Sequence, residues 1–333
     1  MRRREFIALL AGAVATWSLT ARAQQPDRVR RIGVLLDNES SIYPFERGLV
    51  QLGWTEGRNM TIDRPNYGAG PARRDSVAEL VAQKPDVILA KDAQETKAVL
   101  EQTHTVPIVF AMSADPVGDG LVESFARPGG NVTGFSSFEP GMGGKWVELL
   151  KEIAPNVNRV AVIVHPDEPK ASLAGFLRAT EPSARSFGVE LTIIPDNPKV
   201  SRSYSDSIIE LERAIDGFAR KPNGGLIVFP GTYTTTTHYR QSLWLAERYR
   251  LPAVYPFKPY VRSGGLISYG VDIADQFRRA ASYVDRILRG EKPGDLPVQA
   301  PTKFEVAINL GAAKTLGLTI PQSILIRADE VIE

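Results

Sequence analysis

The residues that could do chemistry come in short polar or aromatic clusters, each directly after an apolar run. Asp37 and Asn38 follow Ile32–Leu36. Lys91, Asp92 and Ala93 follow the run Asp86–Ala90, and Ser113 to Asp115 follow Pro107–Phe110. Further along, His165 and Asp167 follow Arg159–Val164, and Thr232 and Tyr233 follow Gly225–Phe229. Tyr255 and Phe257 close the run that starts at Pro252. Tyr269 and Asp272 stand at the end of the run from Leu266. Clusters of this kind at the carboxyl ends of parallel strands are where open α/β sheets bind ligands, because the following helices present free N–H groups and positive dipole ends there. Mixed polar and aromatic walls suit capture of a small molecule. Plainer readings stand beside this one. Asp92 and Asp272 serve simply as helix N-caps, Asp115 before Pro116 is a favoured turn pair, and Tyr255 and Phe257 could be core.

Other chemistries find little support. There is no cysteine, so thiol catalysis, disulfides and cysteine-bound metal are excluded. The three histidines, His104, His165 and His238, are far apart and in no metal-ligand spacing. No phosphate-loop, dinucleotide or nucleophile-elbow motif occurs, and the Gly129-Gly130 and Gly143-Gly144 pairs read as turns. A formal charge of +2 offers no basic field for nucleic acid. Neither a cofactor nor a metal is expected.

The elements that must position the clusters alternate strand and helix at short intervals, the mark of a parallel sheet covered on both faces. Phe45, Leu49 and Leu52 recur at helical spacing before Gly53. Asp92 to Glu95 reads as a capping box. The stretch from Pro107 to Pro140 leaves a strand, turns at Ser113–Pro116, resumes as a strand near Asn131–Phe135 and gives way to helix after Ser136. A second α/β unit begins there, so this stretch holds both a binding loop and a candidate crossing between two lobes. A long amphipathic helix follows Asp272, with Phe277, Ala280, Ala281, Val284, Ile287 and Leu288 on one stripe and Gly290 at its end. A strand, Phe304–Ile308, and a short helix from Asn309 complete the tail. The expected class is α/β, with two Rossmann-like lobes built on parallel sheets; 333 residues suffice for two such domains.

The first 23 residues read as an export signal. Arg2-Arg3-Arg4 precedes an apolar run, Ile7–Leu19, too short to span a bilayer, and Ala21-Arg22-Ala23 fits a cleavage site. The order Arg3-Arg4-Glu5-Phe6-Ile7 fits a twin-arginine signal. Loss of its four arginines and one glutamate would carry the formal charge from +2 to −1. A periplasmic protein is expected.

The segment SADPVGDGLVESFARPGGNVTGFSSFEPGMGGKW resembles the central signature of the ABC-transporter substrate-binding family that includes receptors for aromatic amino acids. LGWTEGRNMTID and the long stretch from Leu251 to Leu318 resemble its first lobe and its carboxyl-terminal half. The resemblance covers nearly all of the chain after residue 23. It implies a type I periplasmic-binding-protein fold, with two lobes, a three-segment hinge and a ligand enclosed between them, and it implies no catalysis. By position it implies that Asp37, Ser113, Asp115, Tyr233, Tyr255 and Asp272 face the cleft, although the loop Asp37–Tyr43 is shorter than is usual for the family. Lobe 1 would hold 29–135 and 272–296, lobe 2 136–271 and 299–333. The hinge would lie near Phe135–Phe138, Tyr269–Asp272 and Val298–Lys303. A monomer is expected, with a small ligand and a membrane permease as its partners. The ligand would carry a carboxylate, and an amino group facing Asp115. An enzyme on a doubly wound α/β fold and a sensory ligand-binding module are the alternatives.

Overall fold

The computed structural model describes residues 28–36, 39–65, 71–139, 141–164, 170–195, 204–230 and 239–333. Five strands form a first, wholly parallel sheet: β1 (Arg30–Leu35), β2 (Met60–Asp63), β3 (Val87–Ala90), β4 (Ile108–Ser113) and β5 (Val132–Ser136), in the order β2-β1-β3-β4-β5. Its central strands are continuous apolar runs because both faces are covered; all four residues of β3 are buried. Helices α1 (Glu39–Gln51), α2 (Pro71–Ala82) and α3 (Ala93–Leu100) alternate with these strands. On one face Val77, Leu80 and Val99 of α2 and α3 pack with Leu35, Ile88 and Phe110. On the other, Phe45 and Leu49 of α1 pack with Val34, Leu89 and Val109.

The second sheet has seven strands: β6 (Arg159–Val164), β7 (Glu190–Pro195), β8 (Gly224–Val228), β9 (Ala253–Tyr255), β10 (Ile267–Val271), β11 (Phe304–Asn309) and β12 (Glu330–Ile332). They lie in the order β12-β11-β10-β9-β8-β6-β7. Helices α4 (Met142–Ile153) and α5 (Lys170–Ser186) bury Trp146, Leu150 and Phe176 on one face with Val160 and Val162. Helices α6 (Tyr204–Ala219), α7 (Tyr239–Arg248) and α8 (Lys258–Arg262) cover the other, with Leu211, Ile215 and Leu245 against Ala161 and Ile163.

Helix α9 (Ile273–Leu288) leaves the second sheet and packs on the first, against α1. Gly48 permits the approach: a Cβ there would lie 2.8 Å from that of Ala281. Trp54 donates its indole N–H to Asp285 at 2.8 Å, and Arg289 donates to the same carboxylate at 2.7 Å. After a 3₁₀ turn, Pro293–Asp295, the chain returns to β11, then α10 (Leu310–Leu316), α11 (Gln322–Arg327) and β12. Arg262 holds the last strand, donating from Nε and Nη2 to Glu330 at 2.8 and 2.7 Å.

The chain therefore passes between the sheets three times, after β5, after β10 and before β11. The passages lie side by side. Ser136 N–H donates to Gln299 at 2.8 Å, Gln299 N–H to Gly134 at 2.9 Å, and Asp272 N–H to Lys303 at 3.2 Å. The side chain of Gln276, 2% exposed, donates to the carbonyl of Ser136 at 2.6 Å. One expectation needs correcting: the second sheet is not wholly parallel. β11 runs antiparallel to β10, because β10 runs toward the crossings whereas β11 starts from them.

Candidate functional site

Both sheets point the carboxyl ends of their parallel strands toward the crossings, so the loops there face a common cleft. In the first lobe, Asp92 caps α3: its Oδ1 accepts the N–H of Gln94 at 2.8 Å, and its side chain is nearly buried. Ala93, half-buried, is the first helical residue. Glu95 is buried one turn in, its carboxyl against that of Asp92. Burial, then the charge and hydrogen bond of Asp92, push the Glu95 carboxyl well above the ordinary range. Asp119 lies nearby and binds Lys97 at 2.7 Å; burial nonetheless raises its carboxyl, with Asp115 and Asp92 adding to the effect. The end of β4 thus borders a compact acidic group. Asp115 shapes its own loop, since Oδ1 accepts the N–H of Gly118 at 2.9 Å. The geometry leaves one oxygen of that half-buried carboxylate beyond the turn's own bond.

Ser113 ends β4 fully buried, and its hydroxyl has no hydrogen-bond partner among the described residues. Its carbonyl accepts the N–H of Ser137 at 3.0 Å, so strand end and first crossing are joined. Beside it, Met112 packs against cores of both lobes, as does Ile273 at the start of α9. Ala114 reaches the core of the second lobe. These side chains form the floor on which the lobes meet. Sequence reading passed over Met112 and Gln276 because each looks like an ordinary helix or strand residue; only the crossing gives them a role.

In the second lobe, Tyr269 is half-buried and stacks on Phe304, with ring centres 5.6 Å apart. Its carbonyl accepts the indole N–H of Trp146 at 2.7 Å. Burial, then the charges of Glu139 and Glu148, raise its phenol. Asp272 caps α9 through the N–H of Asp275 at 3.0 Å and binds Lys303 at 2.5 Å. Burial works to raise its carboxyl, but Lys303 and that N–H outweigh it and hold the group below the ordinary carboxylate range. Both its oxygens are thus engaged within the hinge.

Tyr255 and Phe257 follow the plainer reading. Tyr255 is 1% exposed and stacks on Tyr260 at 5.0 Å, and Phe257 is buried in the same core. The reason is that β9 stops at Tyr255 and the short helix α8 folds back over its end. Asp37, Asn38, Asp167, Thr232 and Tyr233 lie outside the described residues, as do His165 and the leader. Among the described residues no group of three or more acidic or histidine side chains could hold a metal ion, and no helix is long and apolar enough to cross a membrane.

Comparison with known proteins places this geometry. The profile of the ABC transporter substrate binding protein family matches residues 40–332. The tyrosine-binding protein of Clostridioides difficile is 26% identical over 275 residues, which cover 82% of this chain and 75% of that protein. A conserved domain protein from Vibrio cholerae is 27% identical with a TM-score of 0.75, over 92% of this chain and 99% of the other. A Streptococcus pneumoniae ABC domain, solved in complex with L-Trp, is 24% identical with a TM-score of 0.76, over 91% of this chain and all of the other. That last likeness speaks to the fold alone.

Proposed function

Since the chain belongs to the ABC transporter substrate binding protein family and has the two-lobed α/β fold of periplasmic binding proteins, we propose that it captures a small organic solute between its lobes and delivers it to a membrane permease. The observation that carries this reading is the side-by-side arrangement of the three crossings, with strand ends of both sheets turned toward them. Such a strap of neighbouring segments bends without unfolding either lobe. Solute touching both lobes binds the closed form better than the open one, and that difference in affinity drives closure. The basic-then-apolar leader with its Ala21-Arg22-Ala23 triplet supports export to the periplasm, where the protein acts as a monomer.

The solute is a carboxylate with an apolar body, an aromatic amino acid being the best fit. The curated relative is a tyrosine-binding protein. The amino end of α3 directs its dipole and free N–H groups toward the cleft, which favours an anion. The free oxygen of Asp115 suits an ammonium. Thermal melts with L-tyrosine, L-tryptophan and L-phenylalanine test the reading. At a hundredfold excess over its dissociation constant, the bound solute adds about 2.7 kcal/mol of stability. Chemical conversion of the solute by the purified protein, or no shift with any of the three or with their deaminated analogues, would overturn it.

A further inference from the structure

A cavity of about 200 Å³ lies in the second lobe, between α7, α10 and the turn before β10. It is separate from the cleft. Both β9 and β10 run toward the crossings, whereas the cavity is walled by Leu251, Ala253 and Leu266, at or just before their first residues. Leu243, Ala246 and Leu316 add apolar surface. Gly265 opens the space: a Cβ there would lie 2.6 Å from the ring of Tyr255.

Two polar groups line this cavity without a protein partner among the described residues. Tyr255 is 1% exposed and lines the cavity, yet its hydroxyl has no hydrogen-bond partner among the described residues. A buried tyrosine hydroxyl ordinarily finds one. Glu247, exposed on α7, lines the same cavity and makes no ion pair among the described residues. Burial first, then the charges of Tyr239 and Glu247, push the Tyr255 phenol up, so it stays neutral. Arg250 stands nearby, but its guanidinium donates to the carbonyl of Thr315 at 3.0 Å and does not line the cavity.

We propose that this cavity is a second binding site, taking a small organic ammonium whose apolar body fills the cavity and whose N–H groups reach Glu247 and the Tyr255 oxygen. An ammonium supplies three donors and no acceptor, which matches a carboxylate and a phenol oxygen left without donors. The size sets the class, because drug-sized ligands occupy roughly 300–1,000 Å³. One ring or a short hydrocarbon chain fits. The site is independent of the solute proposed for the cleft.

Titration calorimetry of the purified protein with phenethylamine tests this, with 2-phenylethanol, the uncharged analogue, as control. Saturable one-to-one binding of the amine is expected, with much weaker binding of the alcohol. Glu247→Gln, an exposed change that leaves the core intact, should weaken the amine about tenfold. Ala312→Leu, which fills the cavity, should abolish binding, and Asp115→Asn at the cleft should leave it unchanged. No saturable binding, equal binding of 2-phenylethanol, unchanged affinity in Glu247→Gln, or loss in Asp115→Asn would each overturn the proposal.

Discussion

Asp115 accepts the N–H of Gly118 through one oxygen, so its loop and its charge are separable by substitution. Asparagine keeps an acceptor for the turn and removes the charge. If Asp115 reads a ligand ammonium, Asp115→Asn should weaken L-tyrosine by about 2–5 kcal/mol, the usual cost of breaking a desolvated charge pair. The deaminated analogue should bind as before; calorimetric loss of equal size for both would assign Asp115 to loop shape only. Glu95 makes a different prediction. Its folded carboxyl titrates well above the ordinary range, while the unfolded chain releases that proton near ~4.3. Between those values the folded state holds more protons, so this group's contribution to stability falls as pH rises. Glu95→Gln should remove that slope. Denaturant melts from pH ~4.5 upward should show wild type losing stability relative to the variant, and parallel curves would refute the buried-pair account.

At the scale of elements, Asp272 joins two functions, of which sequence reading shows only the cap. As the N-cap it starts α9, and through Lys303 it stitches the second crossing to the third. Asparagine also caps helices well, whereas alanine does not. Asp272→Asn should therefore retain the cap and lose only the ion pair, and Asp272→Ala should cost about 1 kcal/mol more. The pH dependence has the opposite sign to that of Glu95. The folded carboxyl sits below its ordinary value, so its contribution is present above the unfolded value near ~3.9 and is lost as pH falls through the folded one. The gap between wild type and Asp272→Asn in chemical melts should close on acidification below that point. A gap that widens would mean that the Lys303 pair does not govern Asp272.

At the scale of the whole molecule, the three crossings and the packed floor of Met112 and Ile273 decide how the lobes move. Each lobe has its own cores, and each sheet is covered on both faces. Bending at the crossings therefore disturbs fewer contacts than bending within either lobe. X-ray scattering of the protein with saturating L-tyrosine, or whichever solute raises the melting temperature, should show a smaller radius of gyration than without it. Identical profiles would replace the hinge with a rigid scaffold.

Alternation of short apolar runs with 3.6-period segments was enough to read nearly every strand and helix of both sheets. Those signals are local: a strand buried on both faces has to be apolar throughout, and a helix on a sheet has to be amphipathic. Asp92 and Asp272 were legible as N-caps for the same reason, because capping acts within one turn. Direction and company were not local. β11 reads as any strand, and it runs antiparallel only because the chain re-enters the second sheet from the crossings. Tyr255 stands at a strand end like its counterparts, but the fold of α8 over that end turns it into core and toward a second cavity. Glu95 reads as a capping residue, and its perturbed carboxyl arises from burial against Asp92 beneath the strand-end loops. Periodicity determined the elements; which polar groups meet across the cleft depends on contacts between residues far apart in the chain, and only the tertiary structure decides those.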